Sequence, residues 1–464
     1  MIITKDKSFY KSLFLLALPI ALQNLITFAV GFADNVMISS LGDNAISGVY
    51  MGNQIQTLLQ LVMGGFEGAV LVLGAQYWGK GDKESVKKIT SIGLRFAIIF
   101  GILITLVCFF FDKWVISLFT DKQPIIEAGA EYLKVVCLSY VFFCITQTLI
   151  ASSRCVETAK LGLYVSAASL VVNVALNYVL IFGKLGFSPL GIRGAAIATL
   201  ASRIVETLII TVYVFFIDKK LKLSFRDLAL FDRALLRDFI KYGLPLILGQ
   251  LVWSCNMLAN SAIMGRQTAD GVVAALSVAN TMHNLAYVVM TGMSNAVGII
   301  TGKTIGAGKE RQMKEYAKTV QVLFICLGLL TCGMLQLLKN PFISLYSDLS
   351  SAAISQAKKL INVLSVTIIG TCYQAACLFG LVKSGGDTSF VFKNDCIFVF
   401  LIVLPSAIIA TYLGAPPWVV FACLKCDQIL KCIVAAVKIN RYNWMKNLTK
   451  TEGLSHLARS KKSE

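Results

Sequence analysis

Histidine is almost missing from this sequence of 464 residues. His283 and His456 are the only two, which excludes His-rich metal sites. Charge is scarce as well: 15% of the residues are charged, against about 25% in soluble globular proteins. A soluble chain of this length would divide into about three domains, yet no long polar interval separates any. Acidic residues are the rarer sign, 25 against 43 basic, for a net charge of +18. Nucleic acid is not the partner this implies, because the chain has no RNA- or DNA-binding motif and no single basic face.

Apolar material fills the space. Hydrophobic residues make up 56% and mean hydropathy is +0.73. They come in runs long enough to cross a hydrocarbon layer of about 30 Å. The chain is a polytopic membrane protein, and a soluble enzyme is excluded. The 13 Cys lie almost entirely inside these runs, and nothing in them demands an oxidising compartment. Cys423-x-x-Cys426 has no second pair and reads as small packing residues on a membrane helix. The first twelve residues are polar and basic, and the run behind them lacks a short core ending in a small-residue cleavage site. It reads as a retained first helix.

Twelve spans are expected: 13–39, 46–78, 94–111, 132–151, 161–183, 190–217, 239–264, 272–302, 319–338, 360–382, 388–413 and 416–437. All should be α-helical, since backbone in lipid must satisfy its own hydrogen bonds, and the alternation of a β-barrel is absent. Lys and Arg divide unevenly between alternate loops. The termini and even-numbered loops hold 29, including Lys80, Lys87, Lys88, Lys219, Lys303 and Lys383, while the odd loops hold eight. By the positive-inside rule both termini are cytoplasmic.

The sequence repeats itself. Shifted by 227, residues 43–82 meet 270–309 with ten identities, among them Asn53/Asn280, Met63/Met290, Gly65/Gly292 and Gly79/Gly306. A shift of 226 pairs Leu18-Pro19 with Leu244-Pro245, and a shift of 230 sets Glu157-Thr158 on Asp387-Thr388. The expected plan is therefore an N-terminal six-helix lobe (1–217), a cytoplasmic loop (218–238), a C-terminal six-helix lobe (239–440) and a basic tail (441–464). Six being even, the lobes are parallel and related by a pseudo-twofold along the membrane normal. Duplicated halves are an architecture of alternating-access transporters. Gly74-x-x-x-x-Gly79-Lys80 only approaches a phosphate-binding loop: it lacks the following Ser or Thr and ends a membrane helix rather than following a strand. Transport would run on a gradient or downhill.

Charges at membrane depth are costly and need a reason. Asp34 lies in the outer half of the first span with no Lys or Arg one turn away, which favours a functional acid over one that merely ties helices. Glu67, mid-span in the second helix, also lacks a cation nearby in sequence and is either a substrate residue or structural. Arg203 and Glu206 can pair, as can Asp427 and Lys431. Asp395 has Lys393 close by and leans towards a structural role. Asp387 reads as a turn and helix-capping residue. Asn173 and Asn177 share one helix face, and Thr199 follows a small-residue stretch. One carboxylate, two amides and a hydroxyl would suit a monovalent cation or a proton on Asp34.

These residues together resemble the multidrug and toxic compound extrusion (MATE) family. The resemblance is carried by Pro19 with Ala33-Asp34-Asn35-Val36-Met37 and Leu41-Gly42-Asp43, by Ala75-Gln-Tyr-Trp-Gly-Lys-Gly-Asp82, by Asn173-x-x-x-Asn177 with Gly194-Ala-Ala-x-Ala-Thr199, and by Lys383-Ser-Gly-Gly-Asp-Thr388 with Trp444. It covers nearly the whole chain. It implies a V-shaped pair of lobes in the cell membrane and a secondary antiporter, not an enzyme. Such a protein exports lipophilic, often cationic compounds in exchange for Na⁺ or H⁺, acts as a monomer and needs no cofactor. It also implies that Asp34 is the coupling acid, assisted by Asn173, Asn177 and Thr199, where Na⁺ could bind. Some relatives carry a second Asp where this chain has Asn177, and many carry Glu where it has Gln250. That weakens a C-terminal cation site, in which Asp395 could still take part. A cationic substrate would be drawn to Asp34 or Glu67. The rival readings are a flippase for a lipid-linked precursor, which would want a cationic cavity, and, from another class, an intramembrane enzyme, for which no His motif speaks.

Overall fold

A computed structural model describes residues 3–186, 188–267, 269–346 and 349–449. Of the tail expected from 441 onward, residues 450–464, with His456, lie outside the described residues. The first half of the chain contributes α1 (Lys7–Ser39), α2 (Asp43–Lys80), α3 (Lys83–Phe110), the short α4 (Asp112–Ser117), α5 (Gln123–Val136), α6 (Ser139–Cys155), α7 (Lys160–Phe182) and α8 (Gly191–Val212). The second contributes α9 (Arg233–Gly265), α10 (Val272–Gly306), α11 (Glu310–Ser344), α12 (Ser351–Gln374), α13 (Thr388–Ile397), α14 (Leu404–Tyr412), α15 (Pro417–Leu424) and α16 (Asp427–Asn440). Wider π-helical turns continue α8 over Tyr213–Ile217, continue α12 over Ala375–Lys383 and join α13 to α14 over Phe398–Val403.

Ten of these helical segments are long and apolar enough to cross a membrane, and α5 with α6, bent by 53°, make an eleventh if taken as one span. The twelfth expected run, 416–437, is divided between α15 and α16, each too short alone. The helices also outrun the apolar segments, because polar caps carry them on. Asp6 accepts from the Ser8 amide at 2.9 Å and Asp82 from Ser85 at 3.0 Å, satisfying donors that a helix start leaves free. Helix α2 runs through Lys80 and closes on Gly81 in the left-handed conformation. A helix end with a glycine turn therefore occupies the place of the approximate phosphate-loop motif.

Among the glycines where the two halves meet, four form two reciprocal pairs. A Cβ on Gly79 would strike the carbonyl oxygen of Lys303, and one on Gly306 would strike that of Gln76. Those are the same two contacts displaced by 227 residues, 79 with 306 and 76 with 303. Likewise Gly65 lies against the backbone of Ile247 on α9, and Gly292 against that of Ala21 on α1. Small residues let helix backbones approach where the bilayer gives no hydrophobic drive. The repeat in the sequence thus reappears as a reciprocal crossing of α2 with α10, flanked by α2 on α9 and α1 on α10.

These contacts lie towards the face that carries residues 3–6 and 441–449, here the near face. The hydrogen bonds joining the halves are there too. Thr4 N donates to Thr319 Oγ1 at 2.8 Å, Tyr316 Oη to Asp6 Oδ2 at 2.5 Å, and Gln76 Nε2 to the Ser384 carbonyl at 3.3 Å. Lys303 Nζ reaches both oxygens of Glu157 at 2.8 Å. The segment after α16 crosses this seal. Lys446 pairs with Asp387 at 2.7 Å, Leu448 N donates to Gln76 Oε1 at 2.8 Å, and the Thr449 carbonyl accepts from Lys80 Nζ at 2.9 Å. Asn24 to Thr291, at 3.3 Å, is the last such bond on the way across. Beyond it, among the described residues, none joins the halves, and Phe32, Val36, Tyr50, Leu258 and Val273 are exposed. Among the described residues, hydrogen bonds therefore hold the halves together only towards the near face.

Candidate functional site

Helix α1 carries Pro19 in its interior, and its far half brings Asp34 against α7. On α7, Asn173 and Asn177 stand one turn apart, each only 1% exposed. Asn177 Nδ2 donates to Asp34 Oδ1 at 2.5 Å and to Asn173 Oδ1 at 3.1 Å. Both hydrogens of that amide are spent, which leaves Asn177 Oδ1 and Asn173 Nδ2 buried with no partner. A buried polar atom without a partner is expensive, so the first is an acceptor available to a bound cation. Asp34 has no ion pair within 4 Å among the described residues; the nearest cationic influence is Arg203. Arg203 is itself paired with Glu206 at 2.8 Å and lies 5.1 Å over the Phe143 ring, the pairing their spacing suggests.

Thr199 does not join this triad directly. Among the described residues its hydroxyl makes no hydrogen bond to the triad; Thr199 lies near Tyr132, whose own hydroxyl donates to Asn53 Oδ1 at 3.2 Å. Tyr132 and Asn53 are polar groups of the site that sequence reasoning did not single out. Asn53 had stood out only as a repeat identity, and Tyr132 gave no signal beyond a tyrosine in an apolar run. The far part of the first half thus gathers a carboxylate, three amides, a phenol and a hydroxyl, an oxygen-rich set that suits a hard monovalent cation or a proton rather than a soft metal.

The other candidates scatter. Gln250, on α9, faces α2, its Nε2 3.6 Å from where a Cβ on Gly64 would stand. It therefore lies across the interface from α2, one turn from Glu67. Asp395 is tied up: Lys431 Nζ bridges it at 2.9 Å and Asp427 at 3.0 Å, so its partner is Lys431 on α16 rather than Lys393. Asp387 makes no capping bond to α13. It binds Lys438 and Lys446, both at 2.7 Å, because two ammonium groups outcompete the backbone amides. Glu67, without a cation nearby in sequence, has Arg154 and Lys383 as charged neighbours in space. A cavity of about 810 Å³ lies away from Asp34, a groove on the second half lined by Lys359, Asn362, Trp418 and Leu430.

Long helices in two reciprocal halves, with a caged acid at membrane depth, define a polytopic transporter rather than an enzyme. The MatE family model matches residues 19–179 and 245–413, one stretch in each half, and the chain belongs to this family of multidrug efflux transporters. It is a multi-pass protein of the cell membrane. The "Probable multidrug resistance protein NorM" of Thermotoga maritima is 27% identical over 339 residues, 73% of this chain and 72% of that one. The "Uncharacterized transporter YisQ" of Bacillus subtilis is 26% identical over 411 residues, 87% of each. Among solved structures, an outward-facing multidrug resistance MATE family transporter superposes with a TM-score of 0.83 at 19% identity, covering 95% of this chain and 99% of that one.

Proposed function

We propose that this chain is an ion-coupled antiporter that exports lipophilic cations in exchange for Na⁺ or H⁺. In this reading it crosses the membrane twelve times, with α15 and α16 together forming the last span and both termini cytoplasmic. The halves are two lobes, and the molecule works as a monomer. The observation that carries the reading is Asp34 held by Asn177 beside the unpartnered Asn177 Oδ1. A carboxylate without a counter-ion, next to an unused oxygen, is poised to take a cation. Asp34, Asn173 and Asn177 would ligate it, and Thr199 would hold Tyr132 in place behind them. Ion and substrate need not share a site; each need only favour a different opening of the halves. Among the described residues hydrogen bonds join the halves only towards the near face, and with the far face outside in this orientation this fits the ion-accepting state.

The test is uptake of a fluorescent lipophilic cation by proteoliposomes under a Na⁺ or a pH gradient, with Asp34→Asn alongside. Transport driven by one gradient and lost in the variant supports the reading and identifies the ion. Folded protein that moves no cation under either gradient overturns it. One observation favours a second reading, flipping of a lipid-linked precursor: Arg154 and Lys383 offset the charge of Glu67 and could receive a phosphate. Gradient-independent movement of a fluorescent phospholipid analogue would support that reading instead.

A further inference from the structure

Glu67 is the one acid in the part of α2 that crosses the second half. Phe66 and Gly68 flank it, and its side chain is only partly covered. Two cations act on it. Arg154, 7% exposed, stands at the end of α6 and donates from Nη2 to Gln23 Oε1 on α1 at 2.8 Å, while its Nε is buried with no partner. Lys383 ends the π-helical turn after α12, and its Nζ lies 3.3 Å from where a Cβ on Gly68 would stand. Its ammonium group therefore abuts α2 beside Glu67. Arg154 at the end of α6 and Lys383 at the end of the turn continuing α12 stand three and four residues before Glu157 and Asp387, so they correspond to within one position. The repeat offers no second acid, because the counterpart of Glu67 is Ser294, whose hydroxyl is bonded to the Ala375 carbonyl at 2.6 Å.

Two corresponding cations, one from each half, thus lie around a single carboxylate close to where the halves cross: Lys383 abuts α2 at Gly68, and the end of α6 that carries Arg154 is fixed to α2 by Cys155 Sγ on the Val70 carbonyl at 3.4 Å. Among the described residues neither Glu67 nor Lys383 has an ion pair within 4 Å, so the three groups interact through space in a low-dielectric setting, where charge interactions are strong. We propose that Glu67 is a charge latch: its carboxylate holds Lys383 of the second half towards Arg154 of the first, and this keeps the near face shut. With the acid neutral, the two cations repel and are relieved only when the halves separate and admit water. Lys383 then travels with its half, while Glu67 and Arg154 stay behind. Glu67 acts here as a positioning residue for the conformational step. The inference rests on the reading that the halves alternate between two openings.

The test measures distances between spin labels on the full chain in liposomes, without substrate or gradient. The labels replace Lys160 and Lys318, both exposed on the near face, with the exposed Cys255 and Cys326 changed to Ser. The ratio of long to short distances should rise at least tenfold in Glu67→Gln. Lys383→Gln, which removes the attraction without leaving two cations face to face, should raise it less. The Glu67→Gln, Lys383→Gln double variant should fall back to the Lys383→Gln level, and Glu67→Asp should match the parent. Glu67→Gln superimposing on the parent, or a double variant as open as Glu67→Gln, overturns the latch. If Glu67→Gln does not fold, an unchanged Lys383→Gln overturns it. Because no transport is measured, failure here leaves the Asp34 assay untouched, and a failed Asp34 assay leaves these distances interpretable.

Discussion

Asn177 gives both of its amide hydrogens away, one to Asp34 and one to Asn173, and keeps its own oxygen unused. Replacing Asn177 by Ala strips Asp34 of its donor and removes that oxygen. A lost buried hydrogen bond of this kind is worth about 1–3 kcal/mol, so ion-driven uptake should need roughly 5- to 150-fold more coupling ion. Half-saturation by Na⁺ or H⁺ in proteoliposomes reads this out; an unchanged value would remove Asn177 from the site.

Asn177→Asp asks a different question. It sets a second carboxylate at hydrogen-bond distance from Asp34, and two such groups cannot easily both ionise, so the pair retains one proton. Transport by this variant should become steeply dependent on pH between neutral and mildly acidic conditions, whatever the parent does. A pH profile identical to the parent's would speak against contact between the two side chains.

The reciprocal glycines predict equal damage at unrelated-looking positions. Gly79→Ala and Gly306→Ala each press a methyl onto a carbonyl oxygen across the same crossing, and overpacking of this kind costs about 1–3 kcal/mol. Melting temperatures in detergent should fall by similar amounts in the two variants. Gly249→Ala, where a Cβ meets nothing within 4 Å, should leave the melting temperature unchanged.

Lys431 neutralises two buried acids at once. Lys431→Met would leave Asp395 and Asp427 facing each other unpaired, and breaking a buried ion pair from one side costs about 3–5 kcal/mol. Asp395→Asn leaves Lys431 with Asp427 and should cost much less. Thermal unfolding of both variants checks the order.

Burial alone would raise the carboxyl of Asp387, but hydrogen bonds from Lys438 and Lys446 and their charges outweigh it and hold the group below its ordinary value. The sign follows. A depressed acid contributes stability at pH values above the ordinary carboxylate range, and that contribution is lost as pH falls through the lowered value. Hydrogen exchange of residues 442–449 should therefore be slow at neutral pH and quicken on strong acidification. Lys446→Ala should quicken it already at neutral pH.

Much of this was legible in the sequence because it depends on local pattern. Apolar runs mark the helices, and a constant offset between halves foretells the paired glycines. The face shared by Asn173 and Asn177 follows from helical spacing alone, and the repeat gave no hint of Tyr132. Illegible were partnerships fixed by how helices cross. Nothing near Glu67 in the chain announces Arg154 or Lys383, and Asp395 has Lys393 in sequence but Lys431 in space. Asp387 looked like a cap because its neighbours are turn-formers, whereas its partners arrive from α16 and the segment beyond. Helix breaks escaped too: hydropathy over 416–437 is continuous, yet α15 and α16 are separate helices.

The segment that follows α16 has a practical consequence. Its last described residue, Thr449, is bound to Lys80 of the first half while Lys446 is anchored on Asp387 of the second. Any protein fused directly after Thr449, in place of residues 450–464, would sit astride the joint and brace it. A fluorescent or affinity tag attached there without a spacer should slow the turnover it was added to report, and a flexible spacer should restore it.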